Sequence, residues 1–166
     1  MRQFSRWLVM GSALSLLAVV AVRAQEKKVP LDKVPKAVLD AVKAKFEGAD
    51  LKGASTEKDG DKIVYEIQLV HKGHKIDASL TADGKFVSVE KEIKAADLPA
   101  AVAAAIKDKY PKAKIKLAEE VSEGGKVKFE VLLQTGPMSA VEVVLSPDGK
   151  IIKEEKKETK EKKDKD

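Results

Sequence analysis

Residues Val34–Ala54 read VPKAVLDAVKAKFEGADLKGA, and residues Leu98–Ala118 read LPAAVAAAIKDKYPKAKIKLA. Pro35 falls on Pro99, Ala37 on Ala101, Val38 on Val102, Lys45 on Lys109 and Phe46 on Tyr110. The register continues through Gly60/Gly124, Tyr65/Phe129, Glu66/Glu130 and Leu69/Leu133. One extra residue then enters the second copy, after which Asp83-Gly84-Lys85 meets Asp148-Gly149-Lys150. Turns and core positions coincide together over the whole stretch. The chain is a duplication, and its fold reduces to that of one short unit.

Each unit opens with a helix. Val34, Ala37, Val38, Ala41, Val42 and Phe46 form one apolar stripe at the 3.6-residue period, repeated by Leu98, Ala101, Val102, Ala105, Ile106 and Tyr110. Asp97 is the expected N-cap of the second helix, and the two prolines fall in the first turns, where a missing N–H costs nothing. Gly48 and Pro111 are the stop signals. The period then changes to two. Ile63, Tyr65, Ile67 and Leu69 alternate with Val64, Glu66, Gln68 and Val70, and Val127, Phe129, Val131 and Leu133 with Lys128, Glu130, Leu132 and Gln134. Ile76–Leu80 and Val141–Leu145 read as the next strands, Phe86–Ile93 and Ile151-Ile152 as the last, with Asp-Gly turns between them. Weaker strands are expected near Leu51–Glu57 and Ile115–Val121.

The predicted fold is therefore α+β: two tandem helix-plus-four-strand antiparallel units. Such a unit is marginal alone, because a domain of about 60 residues buries only about 60% of its unfolded surface. The two sheets are expected to abut or to be continuous, with both helices on one face and the other face open.

Composition sets the boundaries. Of 166 residues, 32 are Lys or Arg and 27 Asp or Glu, with no Cys, which excludes a disulfide framework, a thiolate metal site and a cysteine nucleophile. Arg2, Arg6 and Arg23 are the only arginines; beyond them 29 lysines face 27 acids, so the basic balance belongs largely to the leader. Two of those arginines precede an apolar run, Trp7–Val22, and Val22-Arg23-Ala24 resembles a cleavage site. Residues 1–24 thus read as a signal peptide, giving a periplasmic or secreted protein with no stable membrane span once the leader is cut. Residues 29–93 and 94–153 are the two repeats. Residues 154–166 lie in KEEKKETKEKKDKD, which has no apolar residue and is expected to be a disordered, solubilising tail.

Catalytic equipment is missing from the sequence: no G-x-S-x-G, no H-E-x-x-H and no phosphate-binding glycine loop. Nucleic-acid binding lacks arginine and exposed aromatics, since Phe46, Tyr65, Tyr110 and Phe129 fall on core positions. Acid pairs such as Glu90/Glu92 and Glu119-Glu120 read as solvated surface. His71 and His74 flank one turn and would face each other across a hairpin, a two-ligand candidate for a metal ion. The second copy replaces them with Thr135 and Met138, and a cofactor is not expected. The outer sheet face is the remaining feature, and Val64, Gln68, Lys128, Leu132 and Val144 are its candidate binding residues.

The quoted motifs carry a resemblance. Val34-Pro35, Ala37-Val38, Lys45-Phe46, Tyr65-Glu66-Ile67 and Asp83-Gly84-Lys85, with Leu98-Pro99, Ala101-Val102, Lys109-Tyr110, Phe129-Glu130-Val131 and Asp148-Gly149-Lys150, resemble the PepSY-like, β-lactamase-inhibitor-like family of secreted bacterial domains. The resemblance runs from about Val29 to Lys153. It implies a non-catalytic exported module that binds another protein, of the envelope or outside the cell, by analogy with domains that restrain peptidases or lactamases. The alternative is a small metal- or ligand-binding periplasmic protein using the His71/His74 turn.

Overall fold

The computed structural model describes residues 27–59 and 62–158. The leader, the Gly60-Asp61 turn and residues 159–166 of the tail lie outside them. The elements run β1 (Lys27–Val29), α1 (Lys36–Lys45), β2 (Asp50–Asp59), β3 (Lys62–His71), β4 (His74–Thr81) and β5 (Phe86–Glu92), then α2 (Ala100–Lys109), β6 (Lys114–Glu123), β7 (Lys126–Gly136), β8 (Ser139–Leu145) and β9 (Ile151–Glu158). All nine strands form one sheet in chain order, every neighbouring pair antiparallel.

The expected four strands per unit become nine in total because a strand precedes each helix. β1 pairs with β2 through Lys27↔Thr56 and Lys28↔Ser55, and β5 pairs with β6 through the equivalent Lys91↔Glu120 and Glu92↔Glu119. β5 is thus the last strand of the first unit and the opening strand of the second. Three residues of β1 are too few to show alternation, so hydropathy alone could not mark it.

Both helices pack on one face, as the apolar stripes require. Val38, Val42 and Phe46 meet Ile67, Leu69, Ala78 and Leu80; Val102 and Ile106 meet Phe129, Val131, Leu133, Val143 and Leu145. Each fully buried aliphatic side chain contributes about 1.5–3 kcal/mol. The helices start later than expected. Pro35 and Pro99 are themselves the N-caps, and no side chain caps either helix. Asp97 instead ends a short 3-10 turn, Ala95–Asp97, because Pro99 biases the residue before it to extended backbone and prevents an earlier start.

The first residues of the expected tail belong to the sheet. Lys153–Glu158 continue β9, paired with β8 from Ser139↔Glu158 to Val144↔Lys153. Backbone ladder bonds do not require apolar side chains, and ion pairs anchor the strand: Lys109 to Glu154 at 2.6 Å and Lys157 to Glu142 at 3.4 Å. Tyr110 also donates to Glu154.

Each Asp-Gly turn is a type I turn closed by a left-handed glycine. Gly84 N–H donates to the Thr81 carbonyl at 2.8 Å, and Thr81 N–H to the Lys85 carbonyl at 2.9 Å; Ser146–Lys150 repeat the pattern. Gly149 (φ 85°) lies so close to α2 that a Cβ would stand 2.5 Å from the Ala101 carbonyl oxygen, whereas Gly48 (φ 74°) has open space around it. Gly149→Ala is expected to cost more than 2 kcal/mol, adding a backbone clash to left-handed strain, and Gly48→Ala about 1 kcal/mol. Urea denaturation of the two variants beside wild type measures the difference.

Candidate functional site: the open sheet face

Cross-strand partners share a face, so the register defines the surface opposite the helices. It carries Val64, Glu66, Gln68 and Val70 from β3, Lys75, Asp77 and Ser79 from β4, and Ser88, Glu90 and Glu92 from β5. Leu117, Glu119 and Val121 (β6), Lys128, Glu130 and Leu132 (β7), and Ala140, Glu142 and Val144 (β8) continue it. All five sequence-chosen residues lie here. Gln68 is exposed, and Val64, Lys128 and Leu132 are half-buried, but Val144 is only 7% exposed. Val144 cannot present a contact surface: it sits between Glu130 on β7 and Lys153 on β9, whose longer side chains flank it. Leu117 stands opposite Leu132, an apolar pair that the alternation did not single out. Its cause is a bulge between Ile115 and Leu117, which moves Leu117 onto this face.

The carboxylates overturn the solvated-surface reading. The repeat gives each unit an acid pair, Glu66 with Asp77 and Glu130 with Glu142. The shared strand β5 inserts Glu90 and Glu92 between them, and Glu119 follows on β6. Asp77 lies opposite Glu90; Glu92, Glu119 and Glu130 lie opposite one another on three successive strands. Burial, then the charges of Glu130, Glu119, Asp77 and Glu66, push the Glu90 carboxyl up to about 7. Glu119 is raised by burial and by Asp77, Glu130, Glu92 and Glu142. Lysines answer at the flanks. Lys75 pairs with Glu92 at 3.0 Å, Lys128 with Glu123 at 3.0 Å and Glu130 at 3.3 Å, and Lys157 with Glu155 at 2.9 Å. Burial works against the Lys128 charge, yet its bonds to Glu123 and Glu130 leave its pKa raised.

The two histidines lie on the other face. His71 and His74 are register partners across a Lys72-Gly73 turn with φ of 50° and 81°. The His71 ring meets the Phe46 ring edge-on at 5.6 Å, and His74 Nδ1 lies 3.0 Å from the Glu92 carbonyl oxygen. Both rings are half-buried and already engaged, and among the described residues no group of three His, Asp or Glu could hold a metal ion. A cavity of about 640 Å³ beside the Asp83-Gly84 turn is floored by Ile63 and Tyr65 and rimmed by Lys62, Asp83 and Lys85. Asp83 and Lys85 pair with each other at 2.9 Å, which leaves no activated acid, base or nucleophile there. His71→Ala is expected to lower stability by about 1 kcal/mol through the lost ring contact. Zinc added to the wild-type protein is expected to leave both imidazole resonances in place in NMR spectra.

The comparisons with known proteins agree with this architecture. The family model described as "Putative beta-lactamase-inhibitor-like, PepSY-like" matches twice, over residues 20–88 and 65–153. The two matches overlap over residues 65–88, which hold most of β3, all of β4 and the start of β5. A β-lactamase-inhibitor-like (BLIP-like) protein from Bacteroides fragilis is similar at 20% identity and a TM-score of 0.63, covering 81% of this chain and 92% of its own. A DUF2874 family protein from Bacteroides uniformis gives 17% identity, a TM-score of 0.64 and coverages of 74% and 88%. A protein from Bacteroides eggerthii described as "putative periplasmic" gives 16%, 0.64, 74% and 88%. Among curated proteins none matches. With two matches spanning most of its length, the chain belongs to the PepSY-like family.

Proposed function

We propose that this chain is a non-catalytic, exported module that docks a cationic partner protein on its open sheet face. The observation that carries the reading is the face itself: a nine-stranded sheet whose two helices both lie on one side. Among the described residues nothing packs on the other side. The face has the ingredients of a modest interface, with Leu117 and Leu132 as an apolar centre and Gln68 and the lysines as a polar rim. Its carboxylates outnumber its lysines, so complementarity favours a partner with surplus Lys or Arg. Export is supported by the arginine-led apolar leader and by the periplasmic description of the Bacteroides eggerthii relative. No helix among the described residues is long and apolar enough to cross a membrane.

A photo-crosslinking residue placed at Gln68 tests the face against the same residue placed at Lys43, which is exposed on α1. With envelope fractions, the Gln68 probe is expected to capture one basic protein that the Lys43 probe does not, and Leu132→Lys is expected to reduce that adduct at least ten-fold. Equal adducts from both positions, or adducts indifferent to Leu132→Lys, refute docking on this face.

A further inference from the structure

We propose that the carboxylate belt where the two units join is a proton-operated switch that sets both the tightness of the junction and the charge of the open face. The geometry supplies the switch. Glu90 on β5 faces Asp77 on β4 and Glu66 beyond it on β3; toward the second unit it faces Val121 and Glu119 on β6 and Glu130 on β7. The lysines on this face pair with other carboxylates of the belt and its flank. Lys128, opposite Val121, is held by Glu123 and Glu130, and Lys75 is held by Glu92. Lys91, next to Glu90, points to the helix side, opposite Glu120. Both helices are on that side too, so neither helix end faces the belt. Among the described residues no ion pair reaches Glu90 or Glu119.

Like charges opposite one another on adjacent strands repel, and partial burial removes the water that would screen them. The least costly state keeps one proton among them, titrating as a property of the group. Glu90 goes from an ordinary 4.5 to about 7 in the folded state. A carboxyl with a raised folded pKa binds its proton more tightly in the native state. Stability is therefore greatest below about 4.5 for this group, falls as pH rises toward 7, and is flat above. The depressed carboxyls Asp83, Asp148, Glu154 and Glu155 act in the opposite sense, their contribution being lost only as pH falls below the ordinary carboxylate range. A window from pH 5 to pH 8 therefore isolates the belt from them.

Urea midpoints measured across that window on wild type, Glu90→Gln and the remote, exposed control Glu47→Gln test the switch. Wild type and Glu47→Gln are expected to lose stability as pH rises, whereas Glu90→Gln loses most of that slope and exceeds wild type at pH 8. Identical slopes for wild type and Glu90→Gln overturn the proposal. A second readout needs no variant: the side-chain carboxyl carbon of Glu90, followed by NMR, is expected to titrate well above the ordinary 4.5. A midpoint at the ordinary value also overturns the proposal.

Discussion

Strand β5 is hydrogen-bonded along both edges, to β4 of its own unit and to β6 of the next, and the rest of the structure depends on that double pairing. The hydrophobic side chains form two separate clusters, one under each helix. What joins the units is thus a backbone ladder from Ser88↔Glu123 to Glu92↔Glu119, continued by the Ile93 N–H on the Ala118 carbonyl at 2.9 Å. A ladder in place of a common core has a consequence for energetics. Each unit can be well packed, yet the junction's strength is set by hydrogen bonds of about 1 kcal/mol each and by whatever side chains flank them.

On the helix side those flanking residues are a mixed pair, Lys91 opposite Glu120, which suits an antiparallel ladder. On the open side they are acids. Duplication explains why. An acid pair sited harmlessly on β3 and β4 of one unit is copied onto β7 and β8 of the next, and the shared strand contributes Glu90 and Glu92 between the copies. On the outer strands the crowding is relieved: Ser55 stands where Glu119 stands in the second unit, and although Asp77↔Glu90 recurs as Glu142↔Glu155, Lys157, which stands where Glu92 would fall, pairs with both carboxylates. The acids that no described ion pair reaches, Glu90 and Glu119, lie on the two strands where the units meet. That location makes proton uptake a property of the junction and not of either unit.

The helices, eight of the nine strands (β9 only at its Ile151-Ile152 start), both Asp-Gly turns and the inward aromatics were legible because each is written in a period or a turn residue. Phe46 and Phe129 are buried as the stripes require. What escaped was whatever depends on pairing between distant segments. β1 is too short to alternate, and the Lys153–Glu158 part of β9 has only charged side chains. The belt is the same kind of omission. Glu90/Glu92 and Glu119 are ordinary surface acids in sequence and become crowded only once β5 and β6 are in register. Val144 fails as a contact residue for a related reason, since apolar in an outward position says nothing about the height of its neighbours.

A repeat that shares strands also needs a way to stop. β9 occupies in the second unit the place of β5 in the first, so its free edge is shaped to accept a β6-like strand, and β2 of another copy has that shape. Two features oppose such growth. β1 already covers Ala54–Thr56, which takes up the first part of Ser55–Asp59, the stretch of β2 equivalent to the part of β6 that β5 covers. β9, for its part, replaces the apolar alternation of an inner strand with Lys153-Glu154-Glu155-Lys156-Lys157-Glu158, and charged side chains on an exposed edge keep it solvated. Residues 154–158, the first part of the stretch that reads as a disordered tail, are thus the edge strand of the described sheet. Its lack of apolar residues, which argued against structure, is the property that keeps this edge of the described sheet solvated.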